Sequence, residues 1–210
     1  MLELTPTTQA LLHTTLALIG AVAFAFYIKQ NRGEKMGGGI STPKAIWLGY
    51  AVYVWFFMAP ILALDSNLAP SLRVIIGSFA LSMWLRGIAE LLMLYVWKNW
   101  RPPYGIAHNI VSMTILAFGS FWYRDHLLTL ESNLDFWMLG FLIALFASMV
   151  CETYYAINFH DTVKGQTTGD DGVWFADATA PKFQRINRIT AICNTPLVLF
   201  TSSFIMAWAS

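Results

Sequence analysis

Apolar residues occur along this chain in six long runs, and a shorter polar segment separates each run from the next. A helix needs about 20 mainly apolar residues to cross the roughly 30 Å hydrocarbon core of a bilayer, and these runs have that length. The predicted spans cover residues 8–28, 45–64, 71–97, 105–122, 136–158 and 186–208, to within a few residues at each end. The pattern therefore predicts an all-α membrane protein, a bundle of six transmembrane helices in a single polytopic domain over residues 1–210.

The polar segments between the runs have the composition of turns and loops. After the third run, Pro102 and Pro103 cannot continue a helix and restrict the residues before them, which predicts a stiff turn that ends at Tyr104. The longest polar segment covers residues 160–182, and its glycine-rich middle is typical of a loop. No span is therefore expected between residues 158 and 186.

Composition supports the membrane class and excludes others. Hydrophobic residues make up 57% of the chain and charged residues only 12%, whereas about 25% of an ordinary soluble domain is charged. A net charge of +1 gives no electrostatic basis for binding nucleic acid. The two cysteines, Cys151 and Cys193, lie inside predicted spans and form no CxxC motif, so we interpret them as small packing residues. The expected partner is the lipid bilayer.

Basic residues are distributed unevenly between the two sides of the predicted bundle. Arg73 and Arg124 lie on one side, Arg86 lies within a span, and the other ten of the thirteen share the opposite side. These ten are Lys29, Arg32, Lys35, Lys44, Lys98, Arg101, Lys164, Lys182, Arg185 and Arg188. Cytoplasmic loops are enriched in Lys and Arg, so we expect both termini on the periplasmic or extracellular side. The expected location is the bacterial inner (plasma) membrane, as a multi-pass protein.

Charged side chains inside the spans are the most informative feature of the sequence. Arg86 and Glu90 lie four residues apart in the third span, which places them on one helix face within reach of each other. Counting from the predicted helix ends at 1.5 Å per residue places Glu90, Glu152 and Asn194 about 9 to 12 Å below the cytoplasmic boundary. Ionisable residues at such depth usually face protein or water and have a function.

These depths predict a polar vestibule in the cytoplasmic half of the bundle, where spans three to six converge. We expect its lining, and the pathway of a substrate or ion, to include Arg86, Glu90, Asn109, Glu152, Tyr155, Arg188 and Asn194. The alternative is structural, because pairs such as Arg86 with Glu90, or Glu152 with Arg188, can hold helices in register without any turnover.

Three classes of function fit this arrangement. The first is a small transporter or channel for an ion or small solute. Proton coupling is compatible with it, because a desolvated carboxyl group beside an Arg can change its charge state. The second is a membrane-embedded metal-dependent enzyme acting on a lipid or quinone, with Glu90, His108, Glu152 and His160 as metal ligands. The third is a non-catalytic subunit of a larger membrane complex.

Haem is not expected, because His13 and His108 lie near opposite ends of their spans and the other two histidines lie in opposite loops. A pore formed by one such short chain would be narrow, so a channel would need several copies. Small residues in the first span are typical of close helix contact, within the chain or in a homo-oligomer.

Overall fold

The computed structural model describes residues 12, 15, 19–20, 22–23, 49–97, 102–122, 124, 132–163 and 181–210. Of these described residues 94% are helical, and none of them lies in a strand. The continuous helices are α1 (Gly49–Leu64), α2 (Pro70–Leu91), α3 (Pro102–Trp122), α4 (Asn133–Val163) and α5 (Pro181–Ala209). A π-helical turn, Leu92–Val96, continues α2.

Four of these helices, α2 to α5, are long and apolar enough to cross a membrane, and α1 is a shorter apolar helix. The predicted all-helical, multi-pass membrane class is therefore confirmed. The predicted first span, residues 8–28, lies outside the described residues except for the helical positions 12, 15, 19–20 and 22–23.

Helix boundaries differ from the predicted spans where proline or polar residues continue a helix. The predicted turn extends too far, because α3 already begins at Pro102; residues 98–101 of that turn lie outside the described residues. Proline is tolerated in the first turn, where its missing N–H would have no intrahelical partner anyway. Helix α4 continues past its predicted end at residue 158, and α5 begins before its predicted start at residue 186, since helices can protrude from the apolar layer.

Proline also explains the irregular first helix. Within α1, residues Tyr53–Met58 form a π-helical turn, and the N–H of Ala59 bonds to the carbonyl of Val54, five residues back. Pro60 follows directly and has no N–H to donate. A widened turn before it accommodates this missing bond without ending the helix.

Helices α2 and α3 pack in antiparallel orientation along most of their length. Arg86 near the end of α2 bonds to Asn109 near the start of α3. At the opposite end of the pair, Ile75 lies against Gly119 so closely that a Cβ at Gly119 would come within 2.7 Å of the Ile75 Cγ1. The absent side chain of Gly119 therefore permits this close approach.

Helices α4 and α5 form a second antiparallel pair. Ser148 in the middle of α4 bonds to Asn194, and the rings of Phe141 and Phe204 stack at 6.0 Å nearer the start of α4. Helix α3 packs on α4 and so joins the two pairs. The bundle also closes between its first and last described helices, because the Tyr50 hydroxyl donates to the Leu197 carbonyl at 3.1 Å.

The interior of the bundle is mainly polar toward one end and mainly apolar toward the other. Side chains that are at least nine-tenths buried between the middle of the bundle and the end where α2 and α4 finish and α3 and α5 begin include Asn109, Ser112, Ser148, Glu152, Thr190 and Asn194. The middle and the opposite end are filled by fully buried apolar side chains, among them Phe79, Leu116, Phe141 and Phe204. The fold thus concentrates buried polar groups toward the end where α2 and α4 finish, which is called the polar end below.

Candidate functional site

The charged pair of α2 forms as the sequence predicts. The Arg86 Nε donates to the Glu90 Oε1 at 3.0 Å, one helical turn apart. The Arg86 side chain is 14% exposed and that of Glu90 is 30% exposed. Arg86 is therefore the more deeply buried partner, and Glu90 is the more exposed one.

Asn109 of α3 joins this pair from the facing helix. The Arg86 Nη1 donates to the Asn109 Oδ1, and Asn109 has no exposed surface. This bond fixes the orientation of the amide, because only the oxygen can accept from a guanidinium. The Asn109 Nδ2 is then left buried with no hydrogen-bond acceptor among the described residues. An unsatisfied buried donor costs about 1 to 3 kcal/mol, so this amide calls for an explanation.

The first turn of α3 lies against the same ion pair. Gly105 is buried and lies one turn before Asn109 on the same face. A Cβ at Gly105 would be 3.5 Å from the Arg86 Nη2 and 3.9 Å from the Glu90 Oε1. The start of a helix carries partial positive charge, although here Pro102 and Pro103 have no N–H, so within the first turn Tyr104 is the residue with a backbone N–H that lacks an intrahelical partner. This helix start therefore favours a carboxylate at the position that Glu90 occupies.

Hydroxyl groups extend the cluster one turn deeper. The Ser82 and Ser112 hydroxyls lie 3.2 Å apart across α2 and α3. Ser112 also approaches the His108 Nδ1 at 3.4 Å and the Met83 sulfur at 3.3 Å. Ser82 itself donates to the carbonyl of Phe79 at 2.8 Å. The cluster therefore also contains hydroxyl and imidazole groups, which can act as hydrogen-bond donors or as acceptors. A guanidinium only donates and an ionised carboxylate only accepts.

A second polar contact joins α4 to α5. The Ser148 hydroxyl donates to the Asn194 Oδ1, and the Asn194 Nδ2 donates to the Thr190 carbonyl at 2.8 Å. Glu152 lies one turn beyond Ser148 and is only 6% exposed. Asn194, unlike Asn109, uses both ends of its amide, and its contact has the form of a clamp between helices.

The remaining predicted site residues lie around the edge of this end of the bundle. Tyr155 is half-buried and stacks on Phe159 of the same helix, with ring centroids 6.4 Å apart. Arg188 is exposed near the start of α5, and His160 is half-buried in the last turn of α4. The structure thus gathers Arg86, Glu90 and Asn109 into one cluster and places Glu152 with Ser148 and Asn194.

The metal alternative gains no support from the geometry. All four predicted ligands, Glu90, His108, Glu152 and His160, lie in the described part of the chain. Within that part no three side chains of His, Cys, Asp or Glu lie together in a way that could hold a metal ion.

Neither Gly105 nor Ser112 was a candidate site residue from the sequence. Both could have been found from helical spacing, because Gly105, Asn109 and Ser112 recur at intervals of four and three residues, as one face of a helix requires. These three residues form the polar half of the helix face that α3 buries in the interior of the bundle.

Comparison with protein families, with curated proteins and with solved structures finds no significant match to this chain.

Proposed function

We propose that this chain is a small membrane transporter that moves an ion or small polar solute, coupled to a proton, through the polar end of the bundle. The observation that carries the proposal is the cluster of Arg86, Glu90 and Asn109, in which a charged pair meets a buried amide with an unused donor. Charged side chains within spans typically line substrate or ion pathways.

The structural alternative, a clamp between helices, fits the other contact better. Ser148 and Asn194 satisfy one another and a backbone carbonyl, as a contact that only holds two helices would. The Arg86 cluster retains a donor in the interior, which a purely structural contact would have no reason to keep. We therefore assign the pathway to the Arg86 cluster and the buried carboxyl group of Glu152 on α4, and helix pairing to Asn194.

Packing in the rest of the interior favours a carrier over an open channel. Phe79, Phe141 and Phe204 are fully buried, and close-packed side chains of this kind leave no continuous polar route among the described helices α1 to α5. A solute that reaches the polar end can cross only if the helices rearrange. Alternating exposure of one site is the behaviour of a carrier.

Our topological proposal is six spans with both termini on the outer side of a bacterial inner membrane, which places the polar end in the cytoplasmic half. Its support is the ten basic residues on one side. Fusions at each terminus to alkaline phosphatase, which is active only outside, should be active, and fusions to a fluorescent protein that folds only inside should be dark. A fluorescent C-terminal fusion would contradict this orientation and would place the C-terminus in the cytoplasm.

The transport proposal is tested in liposomes that contain the purified chain and a trapped pH dye. Small solutes of each class (monovalent cations, inorganic anions, carboxylates and amines) are added outside, and the internal pH is followed. We expect one class to move protons in the wild type, and Glu90→Gln to lose this response because it removes the exchangeable proton. Ser202→Ala is the matched control, since Ser202 is exposed and bonds only to its own helix.

The Glu152→Gln variant separates two versions of the proposal. Loss of solute-driven proton movement would place Glu152 on the pathway, and an unchanged rate would confine the pathway to the Arg86 cluster. The transport proposal is wrong if vesicles that hold correctly folded chain show neither proton movement nor solute movement for any of the solute classes.

A further inference from the structure

The Arg86 cluster contains more hydrogen-bond donors than acceptors. Arg86 directs Nε to Glu90 and Nη1 to Asn109, and its Nη2 faces the first turn of α3 at Gly105. The Asn109 Nδ2 has no acceptor among the described residues. The first turn of α3 adds the backbone N–H of Tyr104, which lacks an intrahelical partner, whereas Pro102 and Pro103 have no N–H. Among Arg86, Glu90 and Asn109 the side-chain acceptors are the Glu90 carboxylate and the Asn109 oxygen.

We propose that this cluster binds a small monocarboxylate, and that Glu90 is an internal carboxylate which the substrate displaces after Glu90 takes up a proton. This inference rests on the proposed function, for which it names the substrate class. The Arg86 guanidinium and the Asn109 amide hold the carboxylate oxygens, and the start of α3 favours their charge.

The planar guanidinium is the first reason for a carboxylate. It presents paired N–H groups that match two carboxylate oxygens, which a spherical anion cannot use together. Gly105 is the second reason, because the Cβ of any other residue would be 3.5 Å from the Arg86 Nη2 and would fill the space beside it. Glu90 itself already shows that a carboxylate is accepted at this place.

Charge balance explains why one negative charge enters together with one proton. Arg86 and Glu90 form a neutral pair, so an added anion alone would leave one uncompensated negative charge in a low-dielectric interior, which is costly. If Glu90 takes a proton from the aqueous side, Arg86 is released to the substrate and the site stays neutral. Glu90 is suited to this role, because it is the more exposed partner of the pair.

Among the described residues of the two helices packed against α2, His108 of α3 is the one imidazole or charged side chain that faces this pair. Helix α1 contains no His, Asp, Glu, Lys or Arg, and on α2 itself the facing charge is Arg86. The variant His108→Gln therefore separates the titration of His108 from that of Glu90.

Binding is measured by titration calorimetry on the detergent-purified full chain, with glycolate as the probe and glycolamide as its uncharged analogue. We expect glycolate to bind roughly 10- to 100-fold more tightly near pH 5.5 than near pH 7.5, because uptake of one proton changes affinity by at most tenfold per pH unit. Glu90→Gln should bind glycolate equally well at both pH values, since Gln mimics the protonated carboxyl group. His108→Gln and Ser202→Ala should keep the pH dependence of the wild type.

Loss of donors should weaken binding. We expect Arg86→Gln to lose glycolate binding and Asn109→Leu to weaken it roughly tenfold, the size expected for a hydrogen bond to a charged group. Unchanged affinity in Asn109→Leu would mean that the amide serves only an ordered water and would overturn its assignment. If Arg86→Gln does not fold, Glu90→Gln still decides the test, because this variant is expected to gain glycolate affinity near pH 7.5.

Several results would overturn the inference. These are glycolamide or chloride binding as tightly as glycolate, pH dependence that survives in Glu90→Gln, or no glycolate binding in either the wild type or Glu90→Gln. The transport proposal has a separate outcome, because solute-driven flux of another class in liposomes would keep it while this inference fails. Glycolate binding without any flux in liposomes would keep this inference while the transport proposal fails.

Discussion

Polar side chains within the helices satisfy their hydrogen bonds in two different ways. Several bond back to their own helix, as Thr153 does to the carbonyl of Met149 at 2.8 Å and Thr201 to that of Leu197 at 2.6 Å. Such local bonds are the usual solution for Ser and Thr inside helices. A few bond across to another helix, as Arg86 does, and only these depend on how the bundle is assembled. A polar residue inside a span is therefore a candidate for function only when its own helix cannot satisfy it.

Glycine at a helix contact gives a residue-scale prediction. Gly119→Ala should lower the free energy of unfolding by about 1 to 3 kcal/mol, the usual range for overpacking, because the added Cβ would meet Ile75. Ile75 is β-branched and cannot turn its Cγ atoms aside. The measurement is the denaturation midpoint in detergent, followed by tryptophan fluorescence.

The control for this substitution is Gly77→Ala on the facing helix. A Cβ at Gly77 would lie 3.4 Å from the Ala63 Cβ, an ordinary contact distance, so stability should change little. Adding Ile75→Ala to Gly119→Ala should recover part of the loss, since it removes the clashing atoms. A stable Gly119→Ala protein would contradict the close packing of α2 and α3.

At the scale of elements, the pairing of α4 with α5 positions the second polar contact. Ser148 meets Asn194, and the thiols of Cys151 and Cys193 lie within hydrogen-bonding reach of one another at the same level. Both cysteines are free and half-buried. The sequence predicted two packing residues, and the structure adds that they face each other across one interface.

This register predicts a cross-link. A membrane-permeant thiol oxidant such as diamide should join Cys151 to Cys193, since thiols in contact reach disulfide geometry with little backbone movement. The oxidised chain, unfolded and treated with N-ethylmaleimide, should then lack both adducts by mass spectrometry and regain both after reduction. Cys151→Ser and Cys193→Ser should each retain one adduct. Persistent double labelling after oxidation would place the two helices in a different register.

At the scale of the whole molecule, hydrogen bonds between distant parts of the chain close the bundle at its apolar end. The Trp208 Nε1 donates to the Asp65 Oδ2, which ties the last turn of α5 to the connection after α1. A cavity of about 340 Å³ lies at this same end, between the α1–α2 connection and the start of α4, with Asn67 and Asp135 in its lining. The apolar end is therefore held by its own contacts, independently of the polar cluster.

Removal of this closing bond gives a prediction for the whole fold. Trp208→Phe keeps an aromatic ring but removes the donor to a charged group, so unfolding should become easier by about 1 to 2 kcal/mol. Trp122→Phe is the matched control, because Trp122 at the end of α3 is 80% exposed. Thermal unfolding of both variants in detergent makes the comparison. Equal midpoints for the two variants would show that the bond does not stabilise the bundle.

The sequence by itself determined the features that depend only on neighbouring residues along one helix. The length of the apolar runs predicted α2 to α5 as spans, and the four-residue spacing of Arg86 and Glu90 predicted their ion pair, because rise and rotation per residue are constant in a helix. The predictions from the sequence differ from the structure at the helix ends, where Pro102 starts α3 and polar turns lengthen α4 and α5.

Only the tertiary structure decided which helix faces meet. Residue counting assigned Glu90, Glu152 and Asn194 to one depth, but depth does not give the rotation of each helix about its axis. Packing of side chains between helices sets that rotation. It brought Asn109 and Gly105 to the Arg86 pair and paired Asn194 with Ser148. The result is one cluster whose Asn109 amide has no acceptor among the described residues and a second contact in which the Asn194 amide is satisfied.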